Sequence, residues 1–162
     1  TPPPTTTVTF SFETDVSDGW STGGGNPYYT SSPVVLLTPS QISTYETYGA
    51  DLVLDGQAST PMATEDATDP WWSASYSGGV AIGDVVVTNR GDAHSHMTGT
   101  IAVWLGSSVN DKAVQCGQNV DASGGAGPYT FNCGGATGKS YVTVAKVGSG
   151  YLSIAEVEVF TS

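Results

Sequence analysis

An all-β domain is the fold class this sequence predicts, and three observations predict it. Short apolar runs recur between turn residues about every ten positions, the spacing of strands in sandwiches and barrels. Twenty-one glycines and nine prolines in 162 residues work against helices. No amphipathic pattern of period 3.6 survives beyond two turns.

The elements follow in order. Residues 1–7 (TPPPTTT) read as a polyproline-type spacer. Pro2, Pro3 and Pro4 cannot donate backbone hydrogen bonds, and Thr5, Thr6 and Thr7 offer hydroxyls for O-linked sugar; a plain loose terminus is the bland alternative. No N-x-Ser/Thr sequon is present. Residues 8–14 (VTFSFET) alternate, with Val8, Phe10 and Phe12 on one face, and predict a half-buried strand. A Gly-rich connector completes residues 8–32, and residues 33–162 form the main domain. Within it the runs at 34–37, 52–54, 71–76, 80–88, 101–105, 113–116, 129–133, 141–146 and 151–160 predict strands. Residues 41–48 are the one stretch that fits a short helix.

Charge excludes whole classes of partner. Fifteen acidic residues face four basic ones, for a formal charge of −11. Nucleic-acid phosphates and anionic lipid heads would repel such a chain. No apolar run approaches the ~20 residues of a membrane-spanning helix, so membrane insertion is not expected. The sequence begins at Thr1, which is expected of a chain that has lost a leader or of a fragment. Few basic residues, abundant Thr and Ser, and a cysteine pair predict an extracellular or cell-surface (secreted) location.

Cys116 and Cys133 flank the Gly-rich loop at 121–127. Read as an antiparallel pair joined by that loop, their strands bring the sulfurs together in a disulfide; two buried thiols are the alternative. Such a bond closes roughly 17 residues and contributes ~3 kcal/mol in the chain-entropy view.

Motifs for chemistry are sparse. Asp15 and Asp18 lack the ligand spacing of an EF-hand. Residues 134–140 (GGATGKS) fall one residue short of a phosphate loop and precede a strand, so they read as a hairpin turn. There is no G-x-S-x-G elbow, and no spacing singles out a carboxylate pair for glycoside hydrolysis. His94 and His96 would share a face on a strand and bind a metal there; in a loop after Gly91 they face solvent. Arg90 is the only arginine and has Asp92 as its nearest carboxylate. Its planar fork suits paired hydroxyls or a carboxylate. Arg90-Gly91-Asp92 also spells an integrin triplet, a match short enough to arise by chance.

Several segments, taken together and in order, carry a resemblance. They are LVLDG at 52–56, DPWW at 69–72, VVVTNRGD at 85–92, YVTV at 141–144 and YLSIAEVEV at 151–159. Over about 33–160 the chain resembles the F-type lectins (fucolectins), jelly-roll domains related to discoidin and coagulation-factor C-type modules. The resemblance implies a β-sandwich with jelly-roll topology, to which residues 8–14 add an extra N-terminal strand. It places the cysteine pair where some members have one. It also implies a structural cation, usually Ca2+, held by the Leu52 carbonyl, Asp55, Gln57, the Ala155 carbonyl and Glu156. In the family a His and two Arg bind fucose. Arg90 fills the first Arg position, beside Asp92, and the second falls at Met97 or, with a one-residue slip, at His96. No His stands in residues 58–68, so the family's fucose pocket is incomplete here, and Ala155 replaces the family's Cys in the last strand.

Three functions follow. The first is a non-catalytic surface or glycan-recognition module, with Tyr28, Tyr29, Tyr45 and Tyr48 as loop aromatics for stacking and Trp71, Trp72 and Trp104 assigned to the core. The second is an O-glycosylated structural subunit, whose strand of Val8, Phe10 and Phe12 completes its own sheet or is donated to a neighbouring copy to build a filament or matrix. The third, a polysaccharide hydrolase, rests only on the supply of carboxylates.

Overall fold

The computed structural model describes residues 30–162. The spacer, the Val8–Phe12 strand, Tyr28 and Tyr29 lie outside the described residues. Among the described residues there are eleven strands and two short 3-10 helices. Strands β1 (Pro33–Val34), β11 (Ile154–Thr161), β5 (Ile82–Asn89) and β8 (Tyr129–Ala136) form one antiparallel sheet in the order β1-β11-β5-β8. Strands β2 (Leu36–Gln41), β4 (Trp71–Tyr76), β9 (Tyr141–Lys146), β6 (Thr100–Gly106) and β7 (Val114–Asp121) form the other, in the order β2-β4-β9-β6-β7. Two residues each from β3 (Ala67–Thr68) and β10 (Ser149–Gly150) pair separately.

The chain passes between the two sheets from β4 to β5, β5 to β6, β7 to β8 and β8 to β9. That repeated exchange is the Greek-key habit of a jelly roll, and it makes the domain the β-sandwich the sequence predicts. Alternation supplies the core. Val85, Val87, Val157, Val159 and Phe131 from one sheet meet Trp72, Ala74, Val103, Val142 and Val144 from the other. Trp72 is fully buried and its indole N–H donates to the Ala50 carbonyl at 2.9 Å, so no polar group is left unpaired there.

The middle of the larger sheet's outer face is covered too. Ser73 and Thr143 are buried on it, within 3.1 Å of each other through their hydroxyls. Residues 107–112 fold back over that face. A Cβ on Gly106 would stand 2.3 Å from the Asp111 carbonyl oxygen, so only glycine fits at the bend.

Several expectations change. Residues 41–48 are not a helix: Gln41 closes β2, and Tyr45 to Tyr48 is a turn closed by the Tyr48 N–H on the Tyr45 carbonyl at 3.1 Å. The run at 52–54 belongs to a 3-10 helix, Ala50–Leu54, in which Val53 is buried and Leu54 packs half-buried against the core. The last strand begins at Ile154, which leaves Tyr151 in the preceding segment. Residues 137–140 do not close a hairpin; they carry the chain from β8 to β9 in the opposite sheet. The disulfide Cys116–Cys133 is present, with Cα atoms 4.1 Å apart, but its strands are not a ladder. β7 and β8 are edge strands of opposite sheets, so the bond ties one layer to the other.

Candidate functional site

Asn89 ends β5 directly opposite Ile154 at the start of β11. This register brings the loop after β5 and the segment before β11 to one rim of the sandwich. Asn89 is fully buried and organises that rim. Its amide N–H groups serve the carbonyls of Ser95 and Ala122 at 2.9 Å and of Gly125 at 3.3 Å. Its Oδ1 accepts the Arg90 backbone N–H at 2.8 Å. The Thr98 hydroxyl lies 2.9 Å from Asn89 Oδ1 and 2.7 Å from the Ser153 carbonyl. Lys146 Nζ donates to the Met97 and Thr98 carbonyls, both at 2.9 Å, and its burial pulls the ammonium pKa down.

Arg90 stands on this frame with its side chain 20% exposed. Nε donates to Asp92 Oδ1 at 2.8 Å and Nη2 to Oδ2 at 2.6 Å, a two-pronged pair. Nη1 donates to the Ser153 hydroxyl at 3.3 Å, and that hydroxyl donates onward to the Met62 carbonyl at 2.8 Å. A guanidinium has five N–H donors, so two remain without a protein acceptor among the described residues. The Arg90 hydrogen bond holds the Asp92 carboxyl down to about 2. The two ends of the Arg-Gly-Asp triplet therefore bind each other.

Across from Arg90 is an aromatic wall. Tyr45 and Tyr48 are nearly parallel, ring centroids 6.3 Å apart, and Tyr45 meets Tyr151 edge-on at 6.3 Å. The Tyr45 backbone N–H donates to the Ala63 carbonyl at 3.0 Å. Gln41 Nε2 lies within hydrogen-bond distance of four oxygens: Ser43 O, Thr44 Oγ1, Tyr48 O and Ala63 O, at 2.7 to 3.2 Å. Between the two tyrosines Glu46 sits at φ 51°, a left-handed conformation uncommon for this residue. The Glu46 charge raises the pKa of the Tyr45 phenol.

The two walls enclose a cleft of about 390 Å3. Tyr45, Glu46, Tyr48 and Tyr151 line one side; Arg90, His94, Met97 and Ser153 line the other. Of the sugar-contact candidates, Arg90 lines the cleft and Asp92 grips it from behind. His96 does not line it; its Nδ1 lies 3.1 Å from the Ala93 carbonyl. His94 lines it instead, with Nδ1 3.9 Å from Asp92 Oδ1. Met97 also lines it, at the ungapped position of the family's second basic residue. Trp71 and Trp104 are half-buried in strands, away from this cleft. Tyr151, Ser153, Asn89 and Glu46 escape the sequence reading. Of these only Glu46 has a local signal, its place in the sequence between two loop tyrosines, and that signal is weak.

Of the cation candidates, Asp55, Gln57 and Glu156 meet elsewhere. Asp55 follows the 3-10 helix, accepts the Gln57 backbone N–H at 2.7 Å and accepts the Thr60 hydroxyl. Those bonds hold its pKa low, the Thr60 bond most strongly. Glu156 stands beside it; burial, then Asp55, pushes its carboxyl up to about 7. Glu156 Oε1 is buried with no hydrogen-bond partner. A bulge drops Ala155 from the register between β11 and β5, which takes its backbone out of the regular ladder. Two adjoining carboxyls, an orphaned buried oxygen and an off-register backbone make an oxygen-only donor set, which fits a hard cation such as Ca2+.

No protein-family model matches the chain, and no curated protein sequence does. Solved structures do. A fucose binding module from Streptococcus pneumoniae superposes with TM-score 0.68 and 22% identity, over 78% of this chain and 92% of that one. A fucolectin (f-lectin) from striped bass serum, Morone saxatilis, superposes with TM-score 0.65 and 28% identity, over 77% of this chain and 45% of that one. The lectin domain of Lectinolysin, complexed with Lewis B antigen, superposes with TM-score 0.66 and 25% identity, over 78% of this chain and 93% of that one.

Proposed function

We propose that this domain, whose fold is that of the F-type lectins and their discoidin-like kin, is a non-catalytic carbohydrate-binding module that works outside the cell or on its surface. The observation that carries the reading is the rim cleft. One wall fixes a guanidinium with two free donors, and the other presents three tyrosines. Sugar hydroxyls need fixed donors, and the apolar faces of a pyranose need aromatic rings. The inter-sheet disulfide favours an oxidising compartment.

In this reading the family's fucose pocket is degenerate. Arg90 persists, Met97 lines the cleft at the second basic position, and the donors are fewer. A site that has lost buried donors loses selectivity for the sugar that needed them. The Leu52 carbonyl, Asp55, Gln57, the Ala155 carbonyl and Glu156 hold one structural Ca2+. Its role is to neutralise the two carboxyls and fix the 3-10 helix against β11.

A glycan array probed with and without Ca2+ tests this. Binding to a discrete set of glycans, weakened by Arg90→Ala, is expected. A blank array in both conditions overturns it.

A second reading has one observation behind it. Among the described residues β2 is an edge of its sheet, and Val35 just before it and Leu37 within it are 72% and 54% exposed. An unpaired edge with apolar residues takes an added strand. In that reading the strand of Val8, Phe10 and Phe12 pairs there, from the same chain or a neighbour, and the protein is an O-glycosylated subunit modified along Pro2–Thr7. Self-association that survives deletion of residues 1–14 rules it out.

A further inference from the structure

We propose that the cleft prefers a cationic amino sugar, and that Glu46, in the tyrosine wall, receives its ammonium group. The proposal rests on the carbohydrate-binding reading above and names the ligand class for the same cleft.

The argument starts from charge. Arg90 is matched by Asp92 at 2.6 Å, and His94 lies 3.9 Å from the same carboxylate. That wall is close to neutral. Glu46 belongs to no ion pair among the described residues. The chain has only four basic residues: Arg90, Lys112, Lys139 and Lys146. Arg90 is engaged by Asp92, Lys146 donates to Met97 and Thr98 carbonyls, and neither Lys112 nor Lys139 lines the cleft. The cleft therefore carries one uncompensated negative charge, on a chain of formal charge −11. An anionic sugar would be repelled from it and a cation drawn in.

Geometry narrows the class. Glu46 lines the cleft together with Tyr45, Tyr48 and Tyr151, and Tyr151 meets Tyr45 edge-on at 6.3 Å. Aromatic rings and a carboxylate that line one cleft are a setting that favours an ammonium, because ring faces and carboxylate both present negative potential. A simple cation would use that end alone. The opposite wall holds two unused Arg90 N–H donors, which want hydroxyl or ether oxygens. A ligand that satisfies both walls carries an ammonium and hydroxyls on one small ring. The left-handed backbone at Glu46, φ 51°, places the residue in a conformation that ordinary side chains rarely adopt. Strain of that kind concentrates at ligand sites.

The experiment is a calorimetric or NMR titration of the full chain at pH 6. The probes are glucosamine and galactosamine, their N-acetyl counterparts, and glucuronic acid. Each amine is expected to bind about tenfold tighter than its N-acetyl partner, with glucuronic acid weakest. Glu46→Gln should remove that advantage and leave the N-acetyl sugars within about twofold, since the amide keeps the shape and drops the charge. Glu46→Gly, which relieves the backbone, checks that folding is intact. Equal binding of amine and N-acetyl sugar, or an advantage that survives Glu46→Gln, overturns the inference and leaves sugar binding standing. Absence of binding to every sugar overturns both.

Discussion

The two walls of the cleft are built in opposite ways. The Arg90 wall is anchored from beneath: Asn89 is wholly buried, and Thr98, Ser153 and Lys146 tie the loop to the segment before β11 and to β9. The tyrosine wall is hung from one side. Its rings are substantially exposed, Tyr45 at 44% and Tyr48 at 38%, and Gln41 Nε2 is its main side-chain tether. Hydroxyl readout requires donors that do not move, because misplacement loses the hydrogen bond. Stacking tolerates small shifts. A fixed polar wall facing a more compliant aromatic one is thus what a sugar site needs.

The largest effect should come from cutting the anchor. Asn89→Ala takes a donor from three carbonyls, one of them buried, and an acceptor from the Arg90 N–H and the Thr98 hydroxyl, and should cost about 3 kcal/mol in urea unfolding. A loss below about 1 kcal/mol would mean the hub is not what holds this wall. Gln41→Ala should cost less, about 1–2 kcal/mol, and act locally. Hydrogen exchange is expected to speed at residues 43–48 and stay unchanged at 90–98. Equal acceleration on both sides would dissolve the contrast.

Arg90→Lys should change stability by under about 0.5 kcal/mol yet weaken sugar binding about tenfold, because an ammonium cannot hold Asp92 with two prongs and still present two donors. An unchanged affinity would remove Arg90 from the site.

The smallest effect is the response to acid. The Asp92 carboxyl titrates at about 2 in the fold, against ~3.9 in an unfolded chain. A depressed carboxyl stabilises the fold above the unfolded pKa, and that contribution fades as pH falls toward 2. Asp92 is about half exposed, so the contribution is modest. Its NMR titration should show no break between pH 7 and 4. A midpoint near 4 would mean the pair does not hold in solution.

These walls also show what was legible in the sequence. Arg90 stood out as the only arginine with a carboxylate two residues on, and Tyr45 and Tyr48 as aromatics without a strand around them. Both are local facts. Tyr151 and Ser153 reach the cleft only because β11 pairs with β5 across some sixty residues, as the Arg90–Ser153 separation of 63 shows. Composition and periodicity carry no pairing information, so Tyr151 read as the start of a strand. Asn89 lay just past the run at 80–88 with no role assigned, since nothing in its neighbours reveals five converging partners. The cysteines were paired correctly for a reason that failed: closeness in sequence suggested one ladder, and the fold sent β7 and β8 to opposite layers. Residues 41–48 looked helical because the turn that presents the tyrosines contains no glycine or proline. The cation residues came by resemblance, and the bulge at Ala155 that gives them physical sense is invisible in the sequence.

The most direct test is a 1H–15N titration of the full chain with a sugar selected from the array, followed at the backbone amides and the Arg90 Nε–H. The account predicts shifts confined to residues 43–48, 90–98 and 151–153, with the Arg90 side-chain signal among the largest. Shifts centred on another face, or a saturated complex that leaves these residues unmoved, would contradict it.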